Sequence, residues 1–234
     1  PGIREAGVYD AFNHYGVERA VVFVSKRGHY SIDKVGRLLE IGNRSIIKIP
    51  VDEKNKIDIL KLEKACREIE EQNLKGGPKT KIIAMVGIAG TTETGNIDNL
   101  KAIRRIATKY NAHFHVDAAW GGSVLVAEEY RYLLSGIEKA DTVTVDAHKL
   151  LYAPPSMGMV FFRKGTEPKA LMHNSNYIIR PDSIDLGRFS VDGSRPFASL
   201  KPWATIKIFG RQGFKLIFDH AFKLTSVLRG LVEM

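Results

Sequence analysis

The chain has 234 residues, long enough for one large domain with a substantial core. Its 44% hydrophobic and 26% charged residues are the balance of a globular protein, not of a disordered or fibrous one. The net charge of +9 is scattered singly and in pairs, as at Lys26-Arg27, so a nucleic-acid partner is not expected.

The predicted elements alternate. A strand at 20–25 ("AVVFVS") precedes a helix at 31–42, with Ser31 as its expected N-cap and Gly42 as its stop. "SIIKIP" at 45–50 is a strand. An amphipathic helix over 58–75 follows and closes at Gly76-Gly77-Pro78. Cys66, the one cysteine, falls inside it as a small apolar filler. A lone cysteine excludes a disulfide framework and fits a reducing compartment, so a cytoplasmic location is expected. The run "KIIAMVGIAG" at 81–90 is nearly all apolar, as in a parallel sheet covered on both faces. Asp98 is the expected cap of a helix reaching Tyr110. "HFHVDAA", "DTVTVDA" and "GMVFF" are three more strands. From Pro196 onward two helical patterns run without a strand between them. No apolar run is long enough to span a membrane, and no membrane partner is expected. The chain opens without an initiator Met and stops inside a helical pattern, so it is expected to be a piece of a longer protein.

Strand–helix alternation of this kind predicts an α/β fold with a mostly parallel sheet. Ligands in such sheets sit beyond the carboxyl ends of the strands. Chemistry is therefore expected in "RGHYS", "AGTTETGN", "DAAWGG" and "AHKLLYAPP", the segments that follow strands.

Period-two alternation puts His113, His115 and Asp117 on one face of a strand. That face suits a metal-dependent hydrolase, or a single functional Asp117 set against a cationic heterocycle with two packed histidines. Lys149 lies 149 − 117 = 32 residues further on, room for a helix and a strand, which would bring it to a neighbouring strand end. The pair is a salt bridge, or a reactive amine with a carboxylate partner. A Schiff-base lysine and a carboxylate facing a pyridinium nitrogen are what pyridoxal phosphate requires. The segment "AGTTETGN" lacks the Gly-Lys-Ser/Thr ending of a P-loop.

Taken in order, "RGHYSIDKVGRLLEIG", "GIAGTTETGNID", "HFHVDAAWGG", "DTVTVDAHK" and "GSRPFASLKPW" resemble the group II pyridoxal-phosphate-dependent amino-acid decarboxylases, closest to the bacterial glutamate and aspartate 1-decarboxylase-like members. The resemblance covers about residues 20 to 210. It implies the large domain of a fold type I enzyme, with a seven-stranded type of sheet, over residues 1–195. Residues 196–234 would be linker helices toward a small C-terminal domain, and the enzyme a homodimer. It implies decarboxylation of an acidic amino acid to an amine and CO₂. Another enzyme of the same fold, an aminotransferase or lyase, is the alternative. Lys149 would form the imine with the cofactor, Asp117 would keep the pyridine nitrogen protonated, and His29 would stack on the ring and assist protonation. Ala119 would pack under the ring, Thr92 would lie near its oxygen, and His148 and Asp146 would stand near the phosphate. Two departures stand out. Asp146-Ala147-His148-Lys149 replaces the Asn-Pro-His-Lys of many members, and no Tyr follows Tyr177 in the stretch before "GSRP".

Overall fold

The computed structural model describes residues 2–173 and 186–233. The chain begins with α1 (Ile3–Tyr15), broken at Gly7, which the sequence reading did not anticipate. The sheet follows: β1 (Arg19–Ser25), β2 (Ile46–Ile49), β3 (Thr80–Ile88), β4 (His113–Asp117), β5 (Thr142–Asp146) and β6 (Gly158–Phe162). Helices α2 (Ser31–Leu38), α3 (Ile59–Leu74) and α4 (Leu100–Lys109) connect the early strands. Helix α5 (Leu200–Val232) ends the chain. It changes direction at Gly210, whose φ of 58° and ψ of −177° are not helical, so it consists of the two helical stretches expected.

The strand order is β2-β1-β3-β4-β5-β6. All neighbours are parallel except β5 and β6, which are antiparallel from Thr142↔Phe162 to Asp146↔Gly158. The connection between β5 and β6 contains no helix, and a parallel return needs a crossover of a dozen or more residues. Among the described residues the sheet has six strands rather than seven.

The core lies on both faces of the sheet. Val21, Phe23, Met85, Phe114 and Val116 are fully enclosed. Leu62, Cys66 and Ile69 of α3 pack against them, as do Ile103 and Ile106 of α4 and Phe214 and Phe218 of α5. Cys66 behaves as the expected filler: burial, with Glu70 and Glu63 nearby, pushes its thiol up to about 12. No helix among the described residues is long and apolar enough to cross a membrane.

Helix α3 starts where expected, because the Asp58 carboxylate accepts from the Lys61 N–H at 3.1 Å. Two caps differ from expectation. Helix α2 ends at Leu38, and Glu40 takes the left-handed conformation (φ 60°) before Gly42 is reached. Ser31 is its first residue, not its cap, and its hydroxyl turns back to His29 at 2.9 Å. Helix α4 is capped by Asn99, which accepts from the Ala102 N–H at 3.1 Å. Asp98 is instead 5% exposed, and it accepts from the N–H groups of Ile57 (2.7 Å) and Ile88 (2.9 Å). It ties the end of β3 to the 51–57 hairpin. Burial pushes its carboxyl above the ordinary range, against the pull of those two donors.

Between Asp117 and Lys149 there is no α-helix, contrary to expectation: β4 leads into three short 3₁₀ turns, Gly121–Val126, Glu128–Leu134 and Ile137–Lys139, and then β5. The chain packs too closely there for a regular helix. A Cβ on Gly121 would sit 2.4 Å from the Ala89 carbonyl oxygen, and one on Gly122 would sit 2.6 Å from Val145.

Candidate functional site

The parallel strands β1, β3, β4 and β5 all end on the same edge of the sheet. Their following segments line one cavity of about 370 Å³, within the roughly 300–1,000 Å³ usual for small-molecule sites. Strand order reverses between β1 and β3, which marks the crevice where such folds bind ligands. Arg27 and His29 come from the segment after β1, Thr91 and Thr92 from that after β3, Asp117, Ala119 and Trp120 from the end of β4, and Asp146 and Lys149 from the end of β5. His29, Thr92, His115, Asp117, Ala119, Asp146 and Lys149, all singled out from sequence, line it, whereas His113 and His148 do not. Tyr177 and residues 178–185 of the stretch before "GSRP" lie outside the described residues.

Backbone contacts fix the loops. The Ala118 N–H donates to the Thr144 carbonyl at 3.0 Å, and the Asp146 N–H donates to Ala119 at 3.1 Å. The Gly121 N–H donates to the Ala89 carbonyl at 3.0 Å. Gly90 has a φ of 98° and a Cβ there would meet the Gly121 nitrogen at 2.9 Å, so this crossing of two loops admits only glycine. The buried Thr91 hydroxyl is used inside its own loop, against Thr94 at 2.7 Å and the Asn96 N–H at 3.1 Å, so Thr92 is the threonine of that loop whose hydroxyl is left for a ligand.

Asp117 Oδ1 accepts from the Ala119 N–H at 3.1 Å and from the Thr144 hydroxyl at 3.5 Å. Its other oxygen takes no hydrogen bond from a described residue. His29 Nδ1 accepts from the Ser31 N–H at 3.3 Å. In the neutral ring the proton therefore sits on Nε2. His148 Nδ1 accepts from the Met157 N–H at 3.0 Å, and its Nε2 is 3.8 Å from Asp146 Oδ2.

Lys149 pairs with Asp146, not with Asp117: Nζ lies 3.0 Å from Asp146 Oδ2. The two are three residues apart on one turn, closed by the Lys149 N–H donating to the Asp146 carbonyl at 3.1 Å. Asp146 is thus a counter-ion placed beside the amine. His113 and His115 point at one hydroxyl, each 2.8 Å from Thr142 Oγ1. Burial lowers the pKa of His115 below its usual range. No group of three or more His, Cys, Asp or Glu among the described residues is arranged to hold a metal ion, so the metal-hydrolase alternative gains no support.

The residues present fit pyridoxal phosphate. The cavity offers an amine, a carboxylate with one free oxygen, an imidazole with a fixed tautomer and a small Ala119. The family model for the pyridoxal-dependent decarboxylase conserved domain matches residues 9–234. The chain belongs to the pyridoxal-dependent decarboxylase family.

Within that family the chain is 38% identical over 232 residues to an aspartate 1-decarboxylase of Aliivibrio fischeri, covering 99% of this chain and 41% of that protein. It is 34% identical to an L-2,4-diaminobutyrate decarboxylase of Acinetobacter baumannii, covering 91% and 41%. It is 35% identical to a cysteine sulfinic acid decarboxylase of Mus musculus, covering 88% and 42%. The crystal structure of mouse CSAD in apo form superposes with a TM-score of 0.85 at 30% identity, covering 99% of this chain and 47% of that one. The chain therefore spans about two fifths of the length of the curated decarboxylases it matches.

Two lining residues carry no signal in the sequence strong enough to assign them. Trp120 sits in a run of small residues, yet it lines the cavity and is 45% exposed. Arg27 was quoted in "RGHYS" but given no role. Its signal was a cation placed directly after a strand end.

Proposed function

We propose that the chain carries the cofactor centre of an amino-acid decarboxylase that uses pyridoxal 5'-phosphate on an acidic amino acid. The observation that carries the reading is the convergence of Lys149, Asp117, His29 and Ala119 on one cavity from three strand ends. The aspartate 1-decarboxylase and cysteine sulfinic acid decarboxylase relatives, both named for anionic substrates, support the acidic choice.

When bound, pyridoxal phosphate supplies an electron sink for the pair left at the substrate's α-carbon as CO₂ departs. The chain's own groups do the rest. Lys149 contributes the amine that tethers the cofactor, with Asp146 as its counter-ion at 3.0 Å. Asp117 would use its free oxygen to keep the cofactor's pyridine nitrogen protonated, while the Ala119 N–H and the Thr144 hydroxyl keep the carboxylate oriented. His29, with its proton on Nε2, would pack against the cofactor from the cavity wall and offer that proton to the reacting carbon. Ala119 and Thr92, which line the cavity, would pack against the bound cofactor, and His148 supports the turn that carries Lys149.

Residues 1–195 are proposed as the cofactor-binding large domain, and 196–234 as the connection to a small C-terminal domain. Exposed apolar residues such as Phe161 and Leu228 support a homodimeric enzyme in which further surface is covered. The single buried thiol of Cys66 supports a cytoplasmic setting.

The test incubates the cofactor-loaded full-length enzyme with aspartate or glutamate and identifies the products. An amine and CO₂ are expected, with turnover severely reduced in Asp117→Asn. A keto acid would assign an aminotransferase, and unchanged turnover in Asp117→Asn would remove that residue's role.

A further inference from the structure

We propose that Arg27 is the residue that recognises the anionic side chain of the substrate, an inference that rests on the decarboxylase reading. The cavity holds two fixed cations, Arg27 and Lys149, and two carboxylates, Asp117 and Asp146. Lys149 is taken by Asp146 at 3.0 Å. Asp117 is oriented by the Ala119 N–H and the Thr144 hydroxyl. Arg27 faces the same cavity, part-buried, and no carboxylate among the described residues pairs with it.

Its one side-chain partner is neutral: Nη2 donates to Asn55 Oδ1 at 3.1 Å. A guanidinium has five N–H donors in a rigid fork, so most of its capacity remains for a ligand. That fork matches a carboxylate or sulfinate, two acceptor oxygens on one atom.

The arginine is also built into place. Asn55 sits in the left-handed conformation (φ 55°) at the tip of the 51–57 hairpin, where asparagine is well tolerated. The hairpin is pinned from two sides. The Lys54 carbonyl accepts from Asn96 Nδ2 at 2.6 Å, and Asp98 accepts from the Ile57 N–H at 2.7 Å. Asn96 and Asp98 lie in and just after the loop that brings Thr92 to the cavity. Asn55 is thus a positioning residue for Arg27, and hydrogen bonds tie the two loops together.

The cofactor's phosphate is the competing anion. The experiment separates the two by comparing Arg27→Gln and Arg27→Lys with the parent in the cofactor-loaded full-length enzyme. Turnover is measured on aspartate and glutamate and on their amides, asparagine and glutamine. Succinate binding is measured by calorimetry, and pyridoxal phosphate affinity by absorbance titration. In Arg27→Gln, kcat/KM for the acidic substrates should fall about 10- to 100-fold, mainly through KM, the weight of a lost charge-assisted pair. Succinate should weaken by a similar factor. Activity on the amides and cofactor affinity should stay within about twofold. Arg27→Lys should recover part of the loss. Equal losses on acids and amides, or unchanged succinate binding, would overturn the inference. So would weakened cofactor affinity with the acid preference intact, which would assign Arg27 to the phosphate. If no amino acid is decarboxylated, the decarboxylase reading falls, and the succinate comparison alone decides the arginine.

Discussion

Replacing Asp98 by Ala probes how the cavity is held together. The Asp98 side chain is buried and accepts two backbone donors, Ile57 N–H at 2.7 Å and Ile88 N–H at 2.9 Å. Alanine would leave both donors buried and unpaired, at about 1–3 kcal/mol each. Relief from burying a carboxylate, visible as its raised pKa, offsets part of this. The net loss expected is about 2–4 kcal/mol. At about 2–4 °C per kcal/mol for a chain of this size, the midpoint should drop by about 5–15 °C. Asp98→Asn keeps one acceptor oxygen and should fall between parent and Ala. Urea denaturation followed by circular dichroism at pH 7, with a thermal melt beside it, measures both. A loss under about 0.5 kcal/mol, the ordinary effect of a surface change, would refute the tie between β3 and the 51–57 hairpin.

Asp141 gives a pH prediction. Burial raises its carboxyl, but the Phe114 N–H and the Arg104 and Arg163 guanidinium groups outweigh this and hold it below the ordinary range. A carboxyl depressed in the folded state stabilises above its unfolded pKa, about 3.9, and that contribution is lost as pH falls through the folded value. Stability should therefore decline below about pH 4 less steeply in Asp141→Asn than in the parent, and parallel curves would count against the ion-pair hub. Gly121→Ala would push a methyl to 2.4 Å from the Ala89 carbonyl oxygen. It should cost about 1–3 kcal/mol or more and shift Trp120 fluorescence in a Trp203→Phe background, whereas an unchanged spectrum would mean that the loop crossing yields easily.

Much of the fold was legible because the sheet is covered on both faces. A strand such as β3 has to be apolar along nearly its whole length, and that pattern identifies it without neighbours, while β4 shows itself by alternation. Between Asp117 and Lys149 the 32-residue spacing has room for a helix, but the segment begins with Gly121 and Gly122 and folds into 3₁₀ turns instead. Those two glycines are there for close backbone approach, which only the packed neighbours reveal. Most of the site was legible too, since strand ends in a parallel sheet point to one edge. The partner of Lys149 was not. Reasoning across strands suggested Asp117, while the nearer acid, Asp146, meets the amine along its own turn. Asp98 likewise read as a helix cap, since an Asp before an apolar periodic run is the usual cap. Asn99 took that place and freed Asp98 for two donors distant in sequence.

The central claim is that Lys149 is the amine that holds the cofactor. The direct measurement adds pyridoxal phosphate to the full-length protein, reduces with borohydride and maps the labelled peptide. The account predicts a single label at Lys149, absent in Lys149→Ala. A label on another lysine, or none at all in the parent, would contradict it.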